Sequence, residues 1–533
     1  MGTVKAFKRA AYTIPTISQT PIYFIPRMSS ANHSRNPSVN GSSNGSDNSS
    51  QFLVPVRNQT LLLEAGTRSL EPETPSTAVG PKGVRSRPKT SWFRRKISSI
   101  LRPSGPFLKP ASEVGPIPTI KESLRAIVVS SWLNIFLVCI PICWILHFVT
   151  PNQHAAIFFT GFFAIIPLAK LLAFATDELS LRVGQAFAGL ISATLGNAVE
   201  LIVAILALAH CELQIVQSSL IGSILSNLLL VLGMCFFFGG IKYSEQGFAT
   251  GAAQLNSSLL TLSVVAVLLP GAYQMTQRPD DPADTAAANT TQAQILKFSH
   301  GIAIILLFIY GCYLLFQLGS HTKMYQDDST DIVKSTAYES RTPVNGETVQ
   351  LQTIPMVTEE PLEEGESPQL NGLVCMLLLG AVTALVALTA DFLVGSIDGL
   401  TSSGAMSKEF VGIILLPIVG NAAEHLTAVT VARKDKLTLS LGVAVGSSIQ
   451  IALFVIPFSV LIAWAMGKPM TLLFDPYEAI CLFLAVLTVN YVVQDGKSNW
   501  LEGMILMCLY AILGTLFFFY PGMPTADHFA VCT

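Results

Sequence analysis

The chain is short of charge. Only 12% of its 533 residues are Asp, Glu, Lys or Arg, about half the share found in soluble globular proteins. With 51% hydrophobic residues and a mean hydropathy of +0.53, this excludes a single soluble domain, a coiled coil and a wholly disordered chain. Much of the sequence has lipid as its solvent. Basic excess is missing too: the net charge is −2, so no global positive field recruits nucleic acid. The nine cysteines form no CxxC pair and show no metal-ligand spacing, and most lie inside apolar runs (Cys139, Cys143, Cys235, Cys312, Cys375, Cys481, Cys508). They read as small membrane-helix residues, not as disulfides or a zinc site. No phosphate loop, HExxH or nucleophile–base pair is present, so an enzyme is the weakest class.

Residues 1–125 are rich in Ser, Asn, Pro and Gly, and hold 18 of the 32 Lys+Arg against six Asp+Glu. Such a segment cannot bury enough apolar surface to offset chain entropy, so a disordered tail is expected. It lacks the compact apolar stretch of a secretory signal, which places it on the cytosolic side. Its basic cluster from Lys82 to Arg102 helps orient the first span and can touch anionic lipid.

From residue 126 onward, apolar runs of membrane length follow one another, a ~30 Å hydrocarbon core needing about 20 helical residues. Spans are expected near 126–149, 155–175, 186–209, 216–240, 252–273, 296–318, 371–394, 408–432, 438–466, 475–494 and 500–521, about eleven in all. The fold class is thus an all-α polytopic membrane protein. Its first half is 126–318 and its second 371–521. Between them lies a polar linker, 319–370, with ten Asp+Glu and three Lys+Arg. Counting from a cytosolic N-terminus puts the linker and Arg433–Lys436 in the cytosol. The same count puts the short C-terminus, 522–533, on the lumenal side. The loop 274–295, with the sequon Asn289-Thr290-Thr291 and with Asp280, Asp281 and Asp284, also falls on the far side.

Two segments inside apolar spans match each other: Gly196-Asn197-Ala198-Val199-Glu200 and Gly420-Asn421-Ala422-Ala423-Glu424. The offset of 224 holds without gaps through Ala204/Ala428, Leu213/Leu437, Gly222/Gly446 and Ser223/Ser447, and pairs Ser226 with Gln450. Two halves therefore share one pattern. The motif spans are an odd number of crossings apart, so the repeats are inverted. That is a common plan of secondary transporters with a midplane site.

Carboxylates at the bilayer centre are costly, and two close together cannot both stay ionised without a counter-charge. No Lys or Arg lies within the core of either motif span. Either a divalent cation sits between Glu200 and Glu424 or protons neutralise them, so both residues are candidates for metal binding and for proton coupling. A hard cation such as Ca²⁺ takes about 6–8 oxygens. Gly196 and Gly420 permit a helix break that frees backbone carbonyls, and Pro417 strengthens the break in the second repeat. Asn197 and Asn421 lie on the face of their glutamate. Ser223, Ser226, Ser447 and Gln450 are candidates for a supporting shell. His425, matched by Leu201 in the first repeat, either tunes Glu424 or bonds across helices. Ser218, Ser219 and Ser448 read as ordinary interhelical bonds. Asp391 and Asp177-Glu178 read as either a cation vestibule or simple helix-end polarity.

The motif Gly196–Glu200, with the run Gln217-Ser218-Ser219-Leu220-Ile221-Gly222-Ser223-Ile224-Leu225-Ser226-Asn227, resembles the first signature repeat of Ca²⁺/H⁺ antiporters of the cation/Ca²⁺ exchanger superfamily. Gly420–His425 with Val445-Gly446-Ser447-Ser448-Ile449-Gln450 resembles the second. The likeness covers roughly 120–521 and is nearest to fungal vacuolar exchangers. It implies an extra first helix followed by two five-helix inverted halves joined by an acidic cytosolic linker. It further implies Ca²⁺ held by Glu200 and Glu424 with glycine carbonyls and asparagines, and Ca²⁺ loading of an acidic organelle, the vacuole, driven by lumenal H⁺.

The function expected is Ca²⁺/H⁺ antiport by alternating access, with Ca²⁺ and H⁺ as substrates, no cofactor, and the bilayer as surroundings. The rivals are Na⁺/Ca²⁺ exchange, Mn²⁺/H⁺ exchange and, from another class, a passive cation channel. Whether the chain forms a homo-oligomer is left open by the sequence.

Overall fold

The computed structural model describes residues 118–183, 185–277, 285–325, 332, 334–338, 368–402, 404 and 406–522. The expected tail up to 117, Asp280, Asp281 and Asp284, most of the linker and the C-terminus from 523 lie outside those residues.

In lipid every backbone polar group needs an internal partner, so apolar runs must close into helices. The first half contains α1 (Ile120–Val129), α2 (Cys139–Val149), α3 (His154–Ser180), α4 (Gln185–Leu195), α5 (Ala198–Ala209), α6 (Leu213–Leu225), α7 (Leu232–Gly240), α8 (Thr250–Thr276) and α9 (Thr285–Leu315). The second contains α10 (Gly372–Gly395), α11 (Ile397–Ser402), α12 (Lys408–Phe410), α13 (Leu416–Gly420), α14 (Ala422–Ala432), α15 (Leu437–Gln450), α16 (Ile456–Ala465), α17 (Pro476–Val492) and α18 (Trp500–Phe519). Among the described residues, eight stretches are each long and apolar enough to cross a membrane, and a ninth if the bent pair Lys408–Gly420 and Ala422–Ala432 is one span. Helix falls within every expected range.

The halves pack as a two-fold exchange of partners. α3 packs on α10, and α8 on α17, each against its own counterpart. α7 packs on α18 while its counterpart α16 packs on α9, and α5 meets α10 while α14 meets α3. Reciprocal pairing of this kind defines a pseudo-two-fold relation. The stretch Leu213–Gly240 is 83% buried along its apolar window, whereas Trp132–Val149 is 11% buried. The former therefore runs through the centre and the latter faces lipid.

Three sequence expectations need correction. The first span does not start at 126. Ser131 caps a new helical turn by accepting from Leu133 N–H, and Asn134 Nδ2 donates back to Ile127 and Val128 carbonyls. The chain breaks at Ser130–Ser131, and the membrane-length stretch is Trp132–Val149. The cysteines are not all free thiols. Among the described residues seven are, but Cys211, in the turn between α5 and α6, is disulfide-bonded. Its position outside an apolar run is the signal that composition alone passed over. Nor is the linker wholly solvated. Its residues Thr336–Ala337 (β2) pair antiparallel with β1 (Tyr243–Gly247), which also pairs with β3 (Lys497–Ser498). Ser335 Oγ accepts from Gly247 N–H and donates to Asp435 Oδ1 at 2.7 Å.

Candidate cation site between the two repeats

Both motif helices are broken where the glycines stand. In the first repeat α4 ends at Leu195 and α5 starts at Ala198, leaving Gly196 and Asn197 as the joint. In the second, Asn421 separates α13 from α14, and the two segments meet at 58°. A π-helical turn over Val411–Leu415 precedes Pro417, whose missing N–H cannot continue the ladder. Asn197 and Asn421 cap the following helices with their carbonyls, accepting from Leu201 N–H (3.1 Å) and His425 N–H (3.0 Å). Their side chains make no cap bond and remain available.

The breaks bring each glutamate to the other repeat. A β-carbon on Gly420 would stand 2.8 Å from Glu200 Oε1, and one on Gly196 would stand 4.0 Å from Glu424 Oε1. Each carboxylate thus lies against the helix joint of the opposite half. Among the described residues no group of three or more His, Cys, Asp and Glu is placed to hold a metal ion. A cation held by this acidic pair would need amide, hydroxyl and backbone oxygens to fill its shell.

The two asparagines differ. Asn197 Nδ2 donates to Gln450 Oε1 (2.6 Å) and its Oδ1 accepts from Ser447 Oγ (3.0 Å). Asn421 is fully buried, yet neither its oxygen nor its nitrogen has a partner. Ser226, which holds the register position of Gln450, instead bonds His425 at 3.3 Å. Glu424 Oε2 is also buried without a partner. Unpaired buried polar atoms of this kind are costly, and these lie three residues apart at the start of α14.

Two cavities meet the pair. One of about 360 Å³ runs from Gly196, Gly420 and Glu424 past Ser447 and Gln450 to Asp177, Phe248 and Thr438, at the helix ends on the linker side. The other, about 20 Å³, lies beyond Glu200 and is lined by Ser219, Ser223 and Gly420, room for about one water-sized group. The site is therefore reached widely from the linker side, and its far side is nearly closed.

Gly196, Glu200, Ser223, Gly420, Glu424, Ser447 and Gln450 line these cavities; Asn197 is tied in through Gln450 and Ser447, Ser226 and His425 bond each other, and Asn421 lines neither cavity. Ser218 bonds Glu478 (2.6 Å), while Ser219 and Ser448 bond their own helices. Asp177 lines the vestibule. Glu178 instead accepts the N–H groups of Gln369 and Leu370 (2.9 and 3.1 Å), clamping the linker's end to α3. Asp391 pairs with His210 (2.8 Å). Sequence reasoning missed Asn227, which donates to Ser447 (3.2 Å), although it ends the run already singled out. It also missed Lys170, whose ammonium reaches Thr427 (3.5 Å) one turn beyond Glu424. No spacing rule links that lysine to the motif.

Helices of two inverted halves, broken at the centre and trading carboxylates there, define an exchanger-type membrane transporter. The chain belongs to the sodium/calcium exchanger protein family, whose model matches residues 153–319 and 374–519. It is 47% identical over 489 residues to the vacuolar calcium ion transporter of Cryptococcus neoformans var. grubii, covering 81% of this chain and 80% of that one. It is 40% identical to the Ca²⁺/H⁺ antiporter of Aphanothece halophytica over 73% of this chain and 96% of the other. The solved structure of native YfkE matches with a TM-score of 0.56 at 30% identity, over 73% of this chain and 100% of that one.

Proposed function

We propose that the protein is a secondary active transporter that exchanges cytosolic Ca²⁺ for lumenal H⁺ across the vacuolar membrane by alternating access. The observation that carries this is the crossed placement of Glu200 against Gly420 and Glu424 against Gly196. Relatives named as a vacuolar calcium ion transporter and a Ca²⁺/H⁺ antiporter support the ion pair and the compartment.

On this reading Ca²⁺ enters the vestibule from the linker side and meets Glu424 and the unpaired Asn421 amide oxygen. It is completed by Glu200 and the carbonyls at the two helix joints, while Ser447 and Gln450 hold Asn197 in place. Movement of the halves then opens the far side. There, protons bind the two glutamates, remove the charge that holds the cation, and return with the carrier. Deprotonation on the cytosolic side regenerates the site. Two carboxylates that cannot both be ionised and bare make cation and protons mutually exclusive, which is what obliges exchange. The work is ion binding and movement, with no covalent step.

The deciding experiment is Ca²⁺ uptake into sealed vesicles containing the reconstituted protein, under an imposed pH gradient, with and without Na⁺. Uptake that needs the pH gradient and ignores Na⁺ supports the reading. A Na⁺ requirement would instead favour Na⁺/Ca²⁺ exchange, which the family's description also names.

A further inference from the structure

The linker-side mouth is wide, so something must hold the far side shut. Among the polar contacts on that side, four join the α5–α6 region to α10, α11, α12 or α17, while Lys468 with Cys211 and Gln217 with the Thr471 and Leu473 carbonyls also cross between the halves. Lys408 Nζ pairs with Glu212 Oε2 at 3.1 Å and also with Asp398. Gln214 Nε2 donates to the buried Glu409. Ser218 Oγ donates to the buried Glu478 at 2.6 Å. His210 meets Asp391 at 2.8 Å. In each, one partner lies in the α5–α6 region and the other on α10, α11, α12 or α17. The seam thus covers the ends of both halves away from the linker. Beside Glu200 lies the 20 Å³ space lined by Ser219 and Ser223.

Lys408 is the hinge of this seam for a chemical reason. It is one ammonium facing two carboxylates that come from different parts of the fold. Glu212 caps the start of α6 in the first half, and Asp398 sits on α11 in the second. Glu409, next along the chain, also lies within reach of the Lys408 charge and of Asp475. Without the ammonium, Glu212 and Asp398 would face each other as like charges. The bridge is half-buried, its side chains between 18% and 64% exposed, so it lies where water must enter if the far side opens.

We propose that Lys408, bridging Glu212 and Asp398, is the latch of the far-side gate, broken each time the central carboxylates face the far compartment. This rests on the exchange reading above and adds to it the residue that sets which side is open. Lys408 is a positioning residue: it touches no transported ion.

The test uses the full chain in sealed vesicles with Ser219→Cys as reporter. A membrane-impermeant maleimide is added on the far side, and labelling at 219 is quantified by peptide mass. Removing one partly buried ion pair shifts a two-state balance by several-fold. Lys408→Met is therefore expected to raise the labelling rate about fivefold and to raise the Ca²⁺ KM measured from the linker side. Lys408→Arg, which keeps the bridge, should label like the parent. If Lys408→Met does not fold, Glu212→Gln carries the same expectation. Labelling at the parental rate in folded Lys408→Met or Glu212→Gln protein overturns the latch. The labelling readout needs no transport, so raised labelling with no gradient-driven uptake overturns the exchange reading alone.

Discussion

Glu200 and Gly420 belong to opposite halves of the molecule, yet the carboxylate oxygen Oε1 of the first lies 2.8 Å from where a β-carbon of the second would stand. Only glycine leaves room for that approach. Gly420→Ala should push the Glu200 carboxylate aside by a few tenths of an ångström. The neighbour is the end of a flexible side chain, so folding should survive while the cation site is distorted. The expected result is a rise in Ca²⁺ KM of about tenfold with little change in melting temperature, since a tenfold change needs only about 1.4 kcal/mol. Unchanged KM would show that the carboxylate need not sit there to bind.

The asparagines give a paired prediction. Asn197 is a strut, bonded to Gln450 and Ser447. Asn197→Ala leaves Gln450 Oε1 without its donor and Ser447 Oγ without its acceptor and should cost about 1–3 kcal/mol of stability, seen as a lower melting temperature with or without Ca²⁺. Asn421 has no partner to lose. Asn421→Ala should melt like the parent in the absence of Ca²⁺ and lose much of the stabilisation that added Ca²⁺ gives. The opposite pattern would reverse the two roles.

The far-side latch carries a pH dependence through Glu212. Burial, reinforced by Asp398, holds its carboxyl above the ordinary range, against the lowering effect of Lys408. With its affinity for protons raised, Glu212 takes one up earlier than an ordinary carboxylate as far-side pH falls. Protonation removes one of the two anions facing Lys408, so acid loosens the bridge and a rise in pH restores it. Far-side labelling at position 219 should therefore increase as that side acidifies. Glu212→Gln should flatten the profile and keep labelling high near neutral pH. The comparison is between parent and Glu212→Gln, and a profile that the substitution leaves unchanged would contradict this role.

The docked strand of the linker gives a prediction of a different kind. Asp435 receives Ser335 Oγ and Gln246 Nε2, tying linker, β1 and the α14–α15 turn together. Asp435→Gly, which accepts the left-handed backbone at this position (φ 63°), should free residues 334–338. The expected readout is faster limited proteolysis in the linker at unchanged melting temperature, and an unchanged cleavage rate would mean that β2 pairing alone holds the segment.

The repeat made the centre of the site legible. A 224-residue offset brings Gly196 and Asn197 into register with Gly420 and Asn421. Helix breaks occur at both joints, including the one that has no proline. Membrane-length runs were legible for the same reason, because lipid leaves helix as the one choice for an isolated apolar segment. What composition could not supply was asymmetry and side-chain pairing. That Ser226 bonds His425 depends on one residue where the halves differ. That Glu178 clamps the linker's end and Lys408 bridges two carboxylates depends on which loops meet in space, and no local periodicity encodes that. The start of the first span was misplaced because Ser130–Ser131 and Asn134 bond backbone locally, outweighing an otherwise continuous apolar run.

Shared ownership of one ion by Glu200 and Glu424 is tested most directly by counting protons released when Ca²⁺ is added to the purified protein in weakly buffered solution. If the two carboxylates exchange protons for the cation, the parent releases protons in proportion to Ca²⁺ bound, and Glu200→Gln and Glu424→Gln each bind weakly and release fewer. Parental proton release and parental Ca²⁺ affinity in either variant would show that the crossed glutamates are not where the ion and the protons compete.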